Sequence, residues 1–137
     1  MLKLSSQQYA GVVASLQRAA SSGGSDKRRF ARMEVQAPVK LGLLTENKIT
    51  RCYVALSRDI SPTGIGLCQA VNFGPKESFL ILLPSAKQQM VVVCVPTFCR
   101  PLADGIYWVG AQFESEADPA TSADFRGLAA AGLKAAG

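Results

Sequence analysis

Two arginines, Arg28 and Arg32, lie in a short basic segment with three residues between them. A guanidinium presents a planar fork of N–H donors that fits phosphate oxygens or the O6 and N7 edge of guanine, which lysine cannot match. From a turn or an extended arm, two such groups at this spacing can close on one ligand. The alternative is a solvated basic run that serves solubility.

A second polar segment, Asp59-Ile60-Ser61-Pro62-Thr63-Gly64, follows about 30 residues later. Asp59 offers two acceptors to a pair of N–H donors, and Ser61 offers a hydroxyl. Gly64 permits a positive φ or a close approach of the backbone to a ligand. The alternative is a turn in which Asp and Ser bond to the local backbone while Pro and Gly bend the chain.

The sequence contains no histidine, so the usual general base near neutral pH and the commonest zinc ligand are both missing. We therefore expect a protein that is not an enzyme, with no catalytic residue, no cofactor and no metal. The four cysteines lack Cys-x-x-Cys spacing and mostly lie in apolar runs, which favours reduced, structural thiols over metal ligands. They are Cys52, Cys68, Cys94 and Cys99.

The composition favours one folded domain and an anionic partner. The chain has 137 residues, 48% of them hydrophobic, and its formal net charge is +5. Residues 1–20 lack the continuous apolar core of a targeting segment. The apolar stretches, such as 90–96, fall far short of the roughly 20 residues of a membrane span, so we expect no transmembrane segment and a cytoplasmic location.

The elements around the two polar segments follow from their hydrophobic periods. Apolar residues at helical spacing predict a helix over residues 6–20, opened by a capping box of Ser5 and Gln8. Residues 21–25 are Ser and Gly only and predict a flexible hinge. Asp118 and Pro119 predict the start of a terminal helix, with Phe125, Leu128 and Leu133 as its larger apolar residues.

Six short extended segments lie between the helices, with residues 58–66 as a turn-rich connection. Their spacing, with no helical pattern between them, predicts an all-β barrel or sandwich. We expect a helix and hinge over residues 1–25, a barrel over 26–116 and a terminal helix over 117–137. The six segments are 37–44, 49–57, 65–68, 79–83, 90–99 and 106–113.

The two polar segments together resemble the signature of the PilZ family of cyclic di-GMP receptors. The family's RxxxR arm is matched by Arg28 and Arg32, and its [D/N]xSxxG segment by Asp59, Ser61 and Gly64. The resemblance extends from about Lys27 to Phe113 and includes the closing segment 108–113. All five motif positions are present.

The resemblance implies a six-stranded antiparallel β-barrel that binds cyclic di-GMP on its outer surface. Arg28 and Arg32 would take guanine edges and phosphates, and Asp59 would accept from a guanine N1 and N2. Ser61 would bond to the base or phosphate, and Gly64 would keep the backbone clear of the ligand. The ligand's two phosphates and two guanines suit these side chains.

Four further residues have a ligand interpretation and an alternative. Arg29 stacks on a base or faces solvent. Lys27 stands where a basic residue accompanies binding of a ligand dimer in the family, or is a solvated charge. Trp108 is a stacking platform or, more often for a lone strand tryptophan, a packing residue. Gly110 marks a ligand-side approach or a bulge.

These observations predict a bacterial receptor and adaptor whose arginine arm changes conformation on binding cyclic di-GMP and signals to an unidentified downstream protein. Motility and biofilm formation are the outputs expected of such a receptor. The alternative is a docking module whose partner binding is independent of nucleotide. With 7% aromatic residues, the chain is a poor candidate for binding a nucleic acid polymer. The expected state is a monomer or a homodimer.

Overall fold

The computed structural model describes residues 1–19, 33–46, 48–73, 77–85 and 89–130. Its order of elements matches the predicted order, with one additional short strand before the first predicted one. The elements are α1 Ser6–Ala19, β1 Met33–Glu34, β2 Pro38–Thr45, β3 Lys48–Ser61, β4 Gly64–Gln69, β5 Phe79–Leu83, β6 Met90–Ala103, β7 Ile106–Glu116 and α2 Pro119–Ala130.

Six of these strands close into a barrel in the order β3-β2-β5-β6-β7-β4, because β4 pairs back onto β3. All of the pairings are antiparallel. The predicted six-stranded antiparallel barrel with flanking helices is therefore confirmed. Closure pairs strand edges that would otherwise be open to association with other chains.

β3 is longer than the sequence predicts. The prediction ended this strand at Ser57 and assigned residues 58–66 to a turn, but β3 continues to Ser61 and only Pro62 and Thr63 form the turn. A bulge between Ser57 and Asp59 shifts the register and keeps β3 paired with β4. The bulge inserts an extra residue, so the simple alternation on which the prediction relied fails there.

α1 contributes directly to the barrel core. Ser5 and Gln8 form the predicted capping box, with each backbone N–H donating to the other's side chain at 2.9 and 3.1 Å. Val12, Val13 and Leu16 are buried in the same apolar cluster as the inward residues of the strands. The predicted helix over 6–20 is thus confirmed within one residue, and its apolar stripe is docked.

α2 covers part of the barrel's outer surface. Asp118 caps the helix by accepting from the Thr121 N–H at 2.8 Å. Phe125 is fully buried against outward residues of β3, β5 and β6, in a second cluster that includes Cys52, Leu80 and Val91. Gly42 on β2 makes room for this ring, since a Cβ there would lie 2.9 Å from Phe125 Cε1.

The cysteines are all free, and two of them, Cys52 and Cys94, are buried. Burial raises the pKa of the Cys94 thiol above its ordinary value. Among the described residues, no helix combines the length and the apolar character that crossing a membrane requires. The predicted hinge, 21–25, and Leu133 lie outside the described residues.

Candidate functional site

Asp59 lies on the outer face of the barrel, across the backbone of the neighbouring strand β4. The next residue, Ile60, is fully buried in the core, and Asp59 pairs with Gly66. A Cβ at Gly66 would overlap Asp59 Oδ1 and come within 3.2 Å of Asp59 Cγ. The glycine therefore allows the carboxylate to lie flat against the sheet.

The next strand, β7, contributes a second buried glycine to the same face of the barrel. Gly110 pairs with Gly66, and the Phe98 ring from β6 lies over Gly110, where a Cβ would come within 2.7 Å of Phe98 Cζ. The Thr97 hydroxyl fixes the same point by donating to the Gly110 carbonyl at 3.0 Å. We call the surface formed by Asp59, Gly66, Gly110 and Phe98 the outer platform. The Asp59 carboxylate lies over the backbone of one glycine, and the Phe98 ring lies over that of the other.

Arginines and aromatic rings alternate along one side of the outer platform. The Arg58 guanidinium lies 4.6 Å from the Trp108 ring centroid, and that of Arg100 lies 5.0 Å from the Phe98 centroid. The two rings meet edge to face at 5.0 Å. Trp108 thus packs against Phe98, and the Arg58 cation lies over its face; whether Trp108 also contacts a ligand stays a prediction. Its Nε1 is buried and has no hydrogen-bond partner within the described residues.

Ser61 and Gly64 build the turn at the end of β3 and lie beside the outer platform. Ser61 is 9% exposed, and its hydroxyl accepts a long hydrogen bond from the Thr63 N–H at 3.3 Å. A Cβ at Gly64 would overlap the Ala111 carbonyl oxygen of β7. Gly64 is therefore required for the close approach of two strands, and the ligand roles of both residues stay predictions.

The residues that directly follow the predicted arginine arm lie beside Asp59. Lys27, Arg28, Arg29 and Arg32 themselves lie outside the described residues. Immediately after Arg32, β1 begins at Met33, and its two residues pair with Ile60 and Asp59. Successive Cα atoms are about 3.8 Å apart, so the covalent chain joins the arm to the barrel next to the carboxylate.

The amino-terminal segment is bonded to the same stretch of β3. The Tyr9 hydroxyl donates to the Ile60 carbonyl at 3.0 Å, and the Leu4 N–H donates to the Pro62 carbonyl at 2.8 Å. On the other side of the turn, the Phe113 N–H donates to the Thr63 carbonyl at 2.9 Å. A shift of this turn would therefore displace α1 and β7, which are hydrogen-bonded to it.

A cleft of about 1110 Å³ lies elsewhere, between the ends of β2, β5 and β7 and the start of α2. Its lining is acidic, and a negatively charged lining disfavours an anionic ligand. A ligand that carries phosphates is better served by the outer platform, where Arg58 and Arg100 supply positive charge. The acidic residues of the cleft are Glu46, Glu77, Glu114, Glu116 and Asp118.

Sequence reasoning identified Asp59 and Gly110 but missed three of their neighbours, Arg58, Gly66 and Phe98. Arg58 directly precedes Asp59, and Gly66 follows Gly64 by two residues. Their positions next to the motif could therefore have marked both as candidate site residues. Phe98 reaches the site only through the pairing of β6 with β7. The position of Phe98 in the site could not be predicted without the register of the β6–β7 pair.

Comparisons with known proteins find similar solved structures. No family model matches the chain, and no curated protein does. Among solved structures, the Bacillus subtilis inhibitor of motility MotI/DgrA is 19% identical with a TM-score of 0.46, over 79% of this chain and 52% of that one.

Two structures of MrkH from K. pneumonia also match, each at 14% identity. The structure of the MrkH–c-di-GMP complex has a TM-score of 0.48 over 77% of this chain and 52% of its own. The apo structure has a TM-score of 0.45 over 79% and 55%. The chain thus spans about half the length of these proteins, and its fold is established by its own strand pairings.

Proposed function

We propose that this protein is a receptor for cyclic di-GMP that binds the nucleotide on the outer platform. The observation that carries the proposal is the pairing of β1 with Ile60 and Asp59. It brings the point where the arginine arm joins the barrel next to the carboxylate, although the two motifs lie about 30 residues apart in sequence.

The chemistry of the ligand matches this arrangement. Each guanine offers N1–H and N2–H donors, which a carboxylate such as Asp59 accepts as a pair, and an O6 and N7 edge, which an arginine fork recognises. The two phosphates suit Arg28 and Arg32. In this proposal Ser61 and Gly64 hold the turn that presents Asp59.

The proposed output is a change in surface that a downstream protein recognises, without enzymatic chemistry. Binding would change the conformation of the arginine arm at the outer platform and move the turn after Ser61. The bonds from Tyr9 and Leu4 to this stretch would pass the change to α1. A ligand shifts such an equilibrium only by its differential affinity for the two states.

The test is calorimetric titration with cyclic di-GMP of Arg32→Ala and Asp59→Ala beside the wild type. Each variant removes one good paired contact, so affinity should fall about 5- to 150-fold. Arg18→Ala is the matched control, because Arg18 is an exposed arginine at the end of α1 that bonds Ser15. Wild-type affinity in both site variants would exclude this site.

A second candidate function is a docking module for another protein that works without nucleotide. It is favoured by large apolar side chains left exposed on β3 and on the β6–β7 hairpin, because burying such side chains against a partner removes apolar surface from water. Partner binding that survives Asp59→Ala and does not respond to nucleotide would support it. These side chains are Val54, Leu56, Leu102 and Ile106, with 60%, 51%, 49% and 40% of their surface exposed.

A further inference from the structure

We propose that Arg58 is a further ligand-contacting residue, whose guanidinium, which lies over the Trp108 ring, is the surface on which a guanine base stacks. The inference rests on the proposed function and deepens it, since it assigns to a residue outside both sequence motifs the recognition of the base plane.

The bulge in β3 places Arg58 and Asp59 side by side on the outer face. Ser57 before them and Ile60 after them are both fully buried. Two residues between two inward positions break the alternation of a regular strand, and the bulge accommodates the extra residue. As a result, Arg58 reaches Trp108 while Asp59 lies across Gly66.

The position of the Arg58 guanidinium is supported by a series of contacts across three strands. Gly110 leaves space for the Phe98 ring, and Phe98 meets the Trp108 ring edge to face at 5.0 Å. Trp108 in turn carries the guanidinium at 4.6 Å. A guanidinium is planar and delocalised. Arg58 is half-buried rather than fully covered, so part of its side chain is accessible to a ligand.

The two adjacent side chains have complementary tasks toward one guanine. The Asp59 carboxylate accepts from the N1 and N2 edge, and the Arg58 plane stacks against the face of the same base. The positive charge of Arg58 also attracts the phosphates of cyclic di-GMP. A lysine at position 58 would keep the charge and lose the plane, so the two contributions can be separated.

The experiment measures the affinity for cyclic di-GMP of Arg58→Lys and Arg58→Ala, with thermal unfolding as the check of folding. A cation–π contact supports a loss of about 3- to 30-fold for Arg58→Ala, and Arg58→Lys should show most of this loss. The matched control is Arg51→Lys, because Arg51 lies on the same strand and covers another ring, Tyr53, at 5.5 Å. It should bind within about twofold of the wild type.

Trp108 gives a second readout, because it is the single tryptophan of the chain. Cyclic di-GMP should change its fluorescence emission in the wild type and change it less in Arg58→Lys. Equal affinity and equal emission change in the wild type and Arg58→Lys would overturn the role of Arg58 and leave the receptor intact. Absence of binding by the wild type would overturn the receptor, and the role of Arg58 with it.

Discussion

Gly66→Ala should abolish the contribution of Asp59 to ligand binding without removing Asp59. Real Cβ atoms essentially never lie within 3.0 Å of another heavy atom, and the Cβ that this substitution adds would overlap Asp59 Oδ1. The flexible carboxylate must therefore move away from its position across β4. Binding of cyclic di-GMP should weaken about 5- to 150-fold, which is the loss expected for removal of the paired contact by Asp59→Ala.

The stability of the barrel should respond differently from binding. Alanine in a strand is favoured over glycine by roughly 0.5–1 kcal/mol, and displacement of the carboxylate opposes this gain. In the Asp59→Ala background the overlap is gone. In that background, Gly66→Ala should raise the free energy of unfolding by the whole of this roughly 0.5–1 kcal/mol. The affinity of the double variant should lie within about twofold of that of Asp59→Ala alone.

Calorimetry and urea unfolding of the four proteins in this cycle measure both quantities. Gly127→Ala is the control, because nothing lies within 4 Å of a Cβ at that exposed position of α2, so it should stabilise the chain and leave affinity unchanged. Wild-type affinity in Gly66→Ala would refute the reasoning. A loss that simply adds to that of Asp59→Ala would also refute it, since the methyl group would then block the ligand directly.

Three further substitutions test how the helices support the barrel. Tyr9→Phe removes the hydrogen bond to the Ile60 carbonyl, and should lower the free energy of unfolding by about 0.5–1.5 kcal/mol and reduce any ligand-dependent change in hydrogen exchange of α1. Phe125→Ala leaves a cavity under α2, and should cost about 3–5 kcal/mol in urea unfolding while the affinity for cyclic di-GMP stays unchanged. Hydrogen bonds from Thr121 lower the pKa of Asp118 from its ordinary 3.8, so Asp118→Ala should reduce the melting temperature near neutral pH, and this difference should disappear as the pH falls below that ordinary value.

The sequence was sufficient to predict the order of the six barrel strands and the starts of both helices. Alternation of Val39, Leu41 and Leu43 with other residues marks β2, and the Ser5 and Gln8 side chains mark the start of α1. These signals are local: each depends on residues a few positions apart. They do not require knowledge of which strand pairs with which.

The candidate site could be predicted only in part, because it depends on register between distant strands. Asp59 is recognisable from its motif, but its position across Gly66 follows from the bulge in β3. The support of Arg58 by Trp108 depends on that bulge too, and the contact of Trp108 with Phe98 depends on the pairing of β7 with β6. No local pattern carries that information.

Titration of the wild-type protein with cyclic di-GMP, with cyclic di-AMP in parallel, tests the central claim most directly. Adenine offers a different edge to Asp59 and to the arginines, because it lacks the guanine O6 acceptor and the N1–H and N2–H donor pair. The account predicts saturable binding of cyclic di-GMP and binding of cyclic di-AMP at least about tenfold weaker. No heat with cyclic di-GMP, or equal affinity for the two nucleotides, would contradict recognition of guanine on the outer platform.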